Sequence, residues 1–427
     1  MTNILDYLVW RGDLTFSNSK LNEVDKIIFT RIAYLPFKEI EMEQKETIES
    51  LMYKFENIDA SKFIWDDDIN LIKALGTSIR FKNLIITDYE EKFDISLEKQ
   101  FAAITIWILN QEKYISFRGT DMSIVGWKED FNMFFKSNIP SQLEGINYLN
   151  KIGKKYWTSK FFVGGHSKGG NIAVYASTFV ENKIKKNILE IISVDGPGVT
   201  NDVLNDEKYL LIKDKILSYL PQTSIVGRIL DNNNEHIIVK SDAKAFMQHD
   251  IYSWEVKGTS FIQIEEVTKE SEFAYKFIKD WLEKTDSGDR ERFINIVYDI
   301  LVQSDINSFV DLPKLILTNT KNVLKTYKNI SEEDKKQVDK MMTQIKKLMT
   351  DIIKAERETQ NKIKELQQKE KELERLKEKE LKLIEKNKEK ERKRIEKERI
   401  KQEKKENYKN KKKIKIDNKK EDKKDNF

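Results

Sequence analysis

The spacing of apolar residues predicts helices at the start of the chain. Apolar side chains between Leu21 and Leu35 recur every three or four residues, and Pro36 is expected to end that helix. A second helix is predicted over 43–55. Neither contains a group of residues that suggests chemistry. Residues 1–78 are therefore interpreted as a helical segment that packs on the core.

From about Phe81 the pattern changes to short runs rich in β-branched and aromatic residues, separated by stretches of helical periodicity. Strands that alternate with helices favour a mainly parallel sheet covered on both faces, which is an α/β fold. Residues 79–325 form this second region, in which 262–325 is helical throughout. The predicted strands are 84–86, 103–109, 114–117, 161–163, 188–194, 216–220 and 237–239. The predicted helices between them are 124–135, 143–156 and 170–180.

The last hundred residues predict an extended helical region that cannot bury a core of its own. Residues 326–384 have apolar positions at heptad spacing, which favours a coiled coil and self-association through 338–383. Thr359, Lys362 and Lys369 interrupt the series. Residues 385–427 are a tail rich in Lys and Glu, expected to be disordered or a solvated helix.

Composition narrows the possible functions. The chain has no cysteine, which excludes disulfides, thiolate metal sites and a cysteine nucleophile, and no motif calls for a metal or cofactor. The start of the chain lacks a basic segment followed by an apolar one, and no run approaches the roughly 18 apolar residues needed to span a bilayer. We therefore expect a cytoplasmic protein.

The formal net charge of +5 comes mostly from residues beyond 385. Clustered cations of this kind bind anionic membrane surfaces or nucleic acid. The alternative is a solvated helix held by pairs of Glu and Lys. Aromatic residues that would stack on bases are nearly absent from the tail, which argues against binding of single-stranded nucleic acid.

The segment from Gly165 to Gly169 has the pattern Gly-x-Ser-x-Gly, typical of a nucleophile on a sharp turn between a strand and a helix. An apolar strand precedes it and a helical pattern follows it, as this turn requires. Small neighbours allow the strand and the helix to approach while Ser167 adopts a strained backbone. The amide of Lys168, at the start of the helix, is placed to stabilise an oxyanion. A glycine-rich turn without chemistry is the alternative.

A serine nucleophile needs a base, and the chain has three histidines. His166 lies within the turn, where its side chain is expected to point away from the nucleophile. His236 lies in a polar stretch that predicts a surface loop. His249 follows the last predicted strand and is the preferred base, with an exposed structural histidine as the alternative.

The acid that orients the base is less clearly marked. Asp195 ends the strand 188–194 and opens the turn Asp195-Gly196-Pro197-Gly198, at the same edge of the sheet as Ser167. An aspartate before glycine is also a common turn residue. The competing carboxylates are Asp202, Asp231, Asp242 and Asp250.

The segment Phe117-Arg118-Gly119-Thr120 leaves an earlier strand, where a second oxyanion donor is expected. Either an amide of this segment or the Thr120 hydroxyl would serve. Trp127 and Asp130 follow on the next helix. A polar turn that caps the strand is the alternative interpretation.

These segments resemble known families. Phe117 to Thr120, with Trp127 and Asp130, and the Ser167 turn are similar to blocks of the class 3 lipases. A closer resemblance, over residues 16–315, is to the Mbeg1-like family, a bacterial group of α/β-hydrolases formerly described as a domain of unknown function. It is carried by Asn22 to Asp25 with Leu35, Gly165 to Asn171, Asp195 to Gly198 and Gln248 to Asp250.

The resemblance implies an α/β-hydrolase fold and lipase-like ester hydrolysis, with Ser167 as nucleophile, His249 as base and Thr120 beside the oxyanion. Class 3 lipases carry their acid after a later strand, and the matching stretch here, 224–227, has no carboxylate. Either Asp195 replaces it or the site is a dyad. The expected substrate is a small-molecule or lipid ester. A catalytically inactive binding or scaffold protein is the alternative.

Overall fold

The computed structural model describes residues 2–109, 111–121, 123–230, 235–304 and 320–421. Contacts divide the chain into two units, one that extends to Ile352 and one that starts at Ile353. Each is described by itself. Residues 231–234 and 305–319 lie outside the described ranges, so Asp231 as a candidate acid and that part of the predicted helical stretch 262–325 are not considered further, and neither are the last six residues of the tail.

The first unit is built on an eight-stranded sheet whose strands lie side by side in chain order. β1 to β4 pair antiparallel, and each pair from β4–β5 to β7–β8 is parallel. A separate hairpin of β9 and β10 follows. The strands are β1 Glu46–Thr47, β2 Ile85–Asp94, β3 Lys99–Leu109, β4 Glu112–Phe117, β5 Lys160–His166, β6 Ile188–Val194, β7 Ile216–Pro221, β8 His236–Val239, β9 Val256–Lys257 and β10 Ser260–Phe261.

Helices cover the sheet and form the end of the chain. Their bounds are α1 Ile4–Arg11, α2 Glu23–Ile32, α3 Ile48–Phe55, α4 Asp67–Thr77, α5 Ile124–Asn132, α6 Pro140–Lys155, α7 Lys168–Phe179, α8 Asn182–Lys185, α9 Asn201–Leu204, α10 Glu207–Leu210, α11 Lys269–Lys284, α12 Ser287–Gln303, α13 Thr320–Asn329 and α14 Glu332–Glu421.

The predicted helix over 43–55 starts later than expected. Glu46 and Thr47 pair antiparallel with Ile86 and Ile85 as strand β1, and the helix begins at Ile48. The Thr47 hydroxyl accepts a hydrogen bond from the Ser50 amide at 3.1 Å and so caps the helix. A cap of this kind fixes the start of the helix after the strand.

Alternate residues of the strands face two separate cores. In β5, Phe161 and Val163 belong to a core shared with α6 and α7, whereas Phe162 belongs to a core shared with the N-terminal helices. This two-residue alternation is the one expected for a sheet covered on both faces. The helices α1 to α4 thus close one face of the sheet.

A third cluster joins the helices that follow the sheet. Phe134, Trp281 and Ile294 pack there with Met341 and Leu348 of α14, both of which are buried. The first heptad positions of α14 are therefore occupied by contacts within the first unit. Self-association through 338–383 remains a prediction. Between 338 and Ile352, it would have to use residues other than the buried Met341 and Leu348.

In the second unit, the described residues belong to α14 and most of them are exposed. Ion pairs one turn apart, such as Lys393 with Glu389 at 2.7 Å and Arg399 with Glu403 at 3.2 Å, line the helix surface. Across the described ranges, we find no helix that has both the length and the apolar character required to cross a bilayer.

The order of strands, the parallel arrangement from β4 to β8 and the helices on both faces are those of an α/β-hydrolase fold. The fold predicted from the sequence is confirmed. In such sheets, loops at the carboxyl ends of the parallel strands meet at one edge, which is where a site is expected. Ser167 and Asp195 lie at that edge, after β5 and β6.

Candidate active site

Ser167 occupies a sharp turn between β5 and α7. Its backbone has φ of 58° and ψ of −134°, a left-handed conformation that is strained for a residue with a side chain. The Ser167 amide donates to the Val194 carbonyl at 2.9 Å, which fixes the turn against the end of β6. α7 begins at the next residue, Lys168. Its first amides have no carbonyl partner within the helix and face the region of Ser167.

The two glycines of the turn are required by close backbone contacts. A Cβ atom on Gly165 would lie 2.3 Å from the backbone of Gly169, and one on Gly169 would lie 2.1 Å from the Phe117 carbonyl oxygen. No side chain fits at such distances. The glycine pattern of the sequence thus has a steric cause, which is the close approach of β4, β5 and α7.

His249 and Asp195 form a hydrogen-bonded pair. Nδ1 of His249 lies 2.6 Å from Oδ2 of Asp195, whose side chain is fully buried. His249 ends a short 3₁₀ helix, Ala245–His249, in the loop after β8. Since a carboxylate only accepts, Nδ1 carries the hydrogen and Nε2 is the nitrogen with a free electron pair. An imidazole held in this tautomer is suited to act as a base.

The second oxygen of Asp195 is held from the next strand. Oδ1 accepts from the Ser224 hydroxyl at 2.5 Å and from the Gly227 amide at 3.1 Å. The stretch 224–227, which lacks a carboxylate of its own, therefore orients the carboxylate supplied by β6. Asp195 has a positive φ of 44°, a second strained residue at this edge of the sheet.

The other described candidates for the acid have different roles. Asp250 caps the 3₁₀ helix Ile251–Ser253 by accepting from the Tyr252 amide at 3.0 Å. Asp202 lies in the first turn of α9. The amide of Asp242 donates to the Ser253 carbonyl at 3.1 Å. Among the residues that the structure describes, the carboxylate that binds the His249 ring is that of Asp195.

His166 is buried and supports the loop that carries His249. Its Nε2 donates to the His249 carbonyl oxygen at 2.8 Å, and the two rings lie 4.4 Å apart. Nδ1 then accepts from the Tyr34 hydroxyl at 3.0 Å. Burial, with a smaller contribution from His249, lowers the pKa of His166 well below its ordinary value. His166 is therefore neutral, and its two ring nitrogens bind the His249 carbonyl and the Tyr34 hydroxyl.

Tyr34 connects three parts of the site. Besides its bond to His166, its hydroxyl oxygen accepts from the Gly119 amide at 3.1 Å. Burial raises the pKa of the Tyr34 hydroxyl, so this group stays protonated and can donate. The segment after β4, the turn that carries Ser167 and the His249 loop are thus joined through one side chain of the N-terminal region.

His236 does not lie in a surface loop, as the sequence had predicted, but is the first residue of β8. It pairs with Ser218 of β7, and its Nδ1 lies 3.1 Å from the Ser218 hydroxyl. Burial lowers its pKa to about 4. The prediction was wrong because the polar residues before His236 favour a loop, whereas the strand begins at the histidine itself.

Thr120 follows β4 and lies opposite the Ser167 turn. Its hydroxyl donates to Oδ2 of Asp130 at 2.6 Å, so the hydroxyl is held by the helix that follows. Burial raises the pKa of Asp130 to about 6, against the lowering effects of Lys168 and Thr120. The orientation of Thr120 is therefore linked to the protonation of Asp130.

The side chain of Lys168 forms a buried ion pair beneath the turn. Its Nζ lies 2.8 Å from Oε2 of Glu129 and 3.8 Å from Oδ1 of Asp130, and the side chains of Lys168 and Glu129 are fully buried. Glu129 also accepts from the amides of Gln100 and Ser141. The hydrogen bonds of Glu129 fix Lys168, the residue next to Ser167, relative to α5 and β3.

A family model described as Mbeg1-like matches residues 75–299, which is more than half of the chain. The chain belongs to the Mbeg1-like family. The matched range of this Mbeg1-like protein contains Ser167, Asp195 and His249. No match was found among curated proteins.

Solved structures similar to this Mbeg1-like chain include three lipases. The lipase of Rhizomucor miehei in a propeptide complex is 17% identical, with a TM-score of 0.29 over 38% of this chain and 58% of the lipase chain. M37 lipase is 18% identical, with a TM-score of 0.30 over 48% and 67%. Lip2 lipase from Yarrowia lipolytica is 14% identical, with a TM-score of 0.27 over 38% and 66%. These values are too low for residues of the lipases to be mapped onto this chain.

Three residues of the site were missed by the sequence analysis of this Mbeg1-like protein. Tyr34 lies 85 residues from Gly119 and 132 from His166, and no local pattern marks it. Glu129 stands beside Asp130 without a recognisable motif. The sequence marks Ser224 only as part of a stretch without a carboxylate, and no pattern indicates that its hydroxyl donates to Asp195.

Proposed function

We propose that this protein is a serine-dependent carboxylic ester hydrolase of lipase or esterase type, acting through an acyl-enzyme on Ser167. The observation that carries the proposal is the hydrogen bond of 2.6 Å between Asp195 and His249, at the edge of the sheet where Ser167 has a φ of 58°. A strained serine on a turn and an imidazole oriented by a carboxylate are the two elements that activate a hydroxyl nucleophile.

In the proposed first step, Nε2 of His249 takes the hydroxyl proton of Ser167 while the oxygen attacks the ester carbonyl carbon. The imidazolium that forms is stabilised by Asp195, whose other oxygen is held by Ser224 and Gly227. The tetrahedral intermediate collapses as His249 returns the proton to the leaving alcohol, which leaves an acyl group on Ser167. Water activated by the same imidazole then releases the acid.

The developing oxyanion is proposed to bind the backbone N–H groups of Lys168, at the start of α7, and of Thr120. The Thr120 hydroxyl donates to Asp130 and the Lys168 side chain binds Glu129, so the side chains of both residues are held in place. Donors fixed before the reaction stabilise the transition state without a cost of reorganisation. Loss of one such donor costs on the order of 10² in rate.

A non-catalytic scaffold was the alternative suggested by the missing acid at 224–227. The hydrogen bond between Asp195 and His249 supports catalysis over that alternative, because the imidazole has a carboxylate partner. Ester hydrolysis is therefore the function that we favour.

The proposal is tested by labelling with a fluorophosphonate probe and by hydrolysis of p-nitrophenyl acetate. We expect labelling and turnover in the unmodified protein and neither in Ser167→Ala. Ser193→Ala, a buried serine on β6, is the matched control and should keep both. Labelling that persists in Ser167→Ala would overturn the proposal.

A further inference from the structure

A partly enclosed apolar cavity lies between α5 and the helices α11 and α12. Its volume is about 170 Å³. The walls are almost wholly apolar, and they include Trp127, Phe131, Phe134, Trp281, Val297 and Leu301. An apolar cavity of about 150 Å³ excludes water and binds a guest of about six carbon atoms. This cavity therefore has the size and chemistry to bind a short hydrocarbon segment.

Lys128 is the one charged residue among the described cavity residues, and its ammonium group binds polar residues outside the cavity. Lys128 contributes to the wall, but its Nζ donates to Asn132 at 2.8 Å and lies 3.2 Å from Glu98. Its ammonium group is therefore engaged by other polar groups. A guest in the cavity would meet hydrocarbon and aromatic surface, which does not favour an ionic ligand.

A series of aromatic rings connects the cavity to the proposed base. The ring of Trp127, in the cavity wall, lies 6.2 Å from the ring of Phe246. Phe246 in turn stacks on the imidazole of His249 at 5.7 Å. Trp127 is also on the helix that follows Thr120, so the same helix borders both the reaction centre and the cavity. The aromatic rings of Trp127 and Phe246 thus lead from the imidazole of His249 to the wall of the cavity.

We propose that the cavity binds the distal part of the acyl chain of the ester, so that the substrate class is an ester of a medium-length aliphatic acid. This inference rests on the proposed ester hydrolysis at Ser167. Each methylene that enters the cavity loses contact with water, which raises kcat/KM about fourfold per methylene. The increase ends when the cavity is full, after roughly six carbons have entered.

Helix α12 offers two valines for a matched pair of variants, one inside the cavity and one outside it. Val297 lines it, whereas Val302, five positions later on the same helix, is 40% exposed and not among its lining residues. Val297→Phe fills part of the cavity, and Val302→Phe makes the same chemical change on the surface. Leu301→Ala enlarges the cavity and is expected to act in the opposite direction.

The experiment measures kcat/KM for p-nitrophenyl esters from acetate to dodecanoate. In the unmodified protein and in Val302→Phe, we expect a rise of about fourfold per methylene that reaches a plateau. Val302→Phe should keep the activity of the unmodified protein on acetate, whereas Val297→Phe should lower the ratio of kcat/KM on octanoate to that on acetate at least tenfold. Leu301→Ala should move the plateau to longer chains. Opposite shifts from two cavity variants would not come from damage to the fold.

Binding is measured separately by calorimetric titration of Ser167→Ala protein with octanoate. We expect binding that Val297→Phe abolishes and Val302→Phe preserves. If acetate is hydrolysed but the ratio of octanoate to acetate is the same in Val297→Phe, the cavity is not the acyl site. If no ester is turned over, the proposed function fails, and an absence of octanoate binding would then also overturn the assignment of the cavity.

Discussion

The hydroxyl of Ser224 donates to Oδ1 of Asp195 at 2.5 Å, while Oδ2 of the same carboxylate binds His249 at 2.6 Å. The acid thus comes from the end of β6 and its support from the end of β7. A site of this kind separates two tasks between neighbouring strands. One residue supplies the negative charge, and the other fixes its direction.

Asp195→Asn is expected to leave the fold intact and to lower kcat for ester hydrolysis on the order of 10⁴-fold, because an amide does not stabilise the imidazolium and permits the wrong tautomer. The measurement is steady-state hydrolysis of p-nitrophenyl acetate, with circular dichroism to verify folding. Asp242→Asn, in the same region of the chain, is the control and should retain activity. Full activity in Asp195→Asn would show that the site works without this acid.

Tyr34→Phe removes the hydroxyl that Gly119 and His166 both bind. Because two buried polar groups lose their partner, we expect the free energy of unfolding to fall by about 1–3 kcal/mol. We also expect a lower kcat with little change in KM, since the hydroxyl orients the site without contacting substrate. Urea unfolding and steady-state kinetics measure the two effects. Tyr53→Phe, at an exposed position, should change neither.

Lys168→Met breaks the buried pair with Glu129 and leaves a carboxylate without its cation. Removal of one partner of a buried pair costs about 3–5 kcal/mol of stability. The double variant Lys168→Met, Glu129→Gln should recover part of that loss, because no buried charge remains. Denaturant unfolding of the four proteins in the cycle gives the coupling energy. Additive effects of the two changes would contradict a direct interaction between these side chains.

Asp130 makes stability depend on pH. Its pKa is about 6 in the folded protein and 3.8 ordinarily, so the folded protein binds this proton more tightly than the unfolded chain does. The destabilising effect of the charged form is complete above about pH 7 and declines as the pH falls through 6 towards 4. The groups that act on the pKa of this carboxylate are Lys168, Thr120, Glu129 and His249.

Asp130→Asn has no such proton. Relative to the unmodified protein, the free energy of unfolding of this variant should therefore be most favourable above pH 7. This advantage should decrease as the pH falls to 4–5, because Asp130 of the unmodified protein then becomes neutral. Urea unfolding at a series of pH values measures it. A difference that is constant with pH would exclude this role of Asp130.

Two truncations compare how the two parts of α14, before and after Ile352, contribute to stability. Removal of the residues after Ile352 should leave stability and activity unchanged, because Met341 and Leu348, which pack against Trp281, are retained. Removal of the residues after Asn329 deletes these contacts and should lower the melting temperature by several degrees. Thermal unfolding of both proteins is the measurement. Equal melting temperatures would show that the contacts of α14 contribute nothing.

The alternating sheet and the turn at Ser167 could be predicted because their signals are local. Apolar runs bounded by turn residues identified β5 to β8, and the glycines around Ser167 indicated the sharp turn between β5 and α7. His249 was favoured because it was the histidine placed after the last strand. Each of these inferences used residues close together in the sequence.

The support of the site could not be predicted, because it depends on contacts between distant segments. Tyr34 meets Gly119 only when α2 packs on the sheet, and Glu129 meets Lys168 only when α5 lies against the start of α7. The start of α3 was misjudged for a related reason, because Glu46 pairs with β2, 40 residues further along. Such pairings have no periodicity that a single sequence displays.

The neighbour-to-neighbour order of β1 to β8 has a consequence for synthesis. Each strand finds its partner immediately upstream, so the sheet can grow strand by strand as the polypeptide leaves the ribosome. Ser167 and Asp195 emerge before His249. A nascent chain that is still short of His249 therefore holds the hydroxyl without the imidazole, and the proposed chemistry can begin only after the sheet is complete.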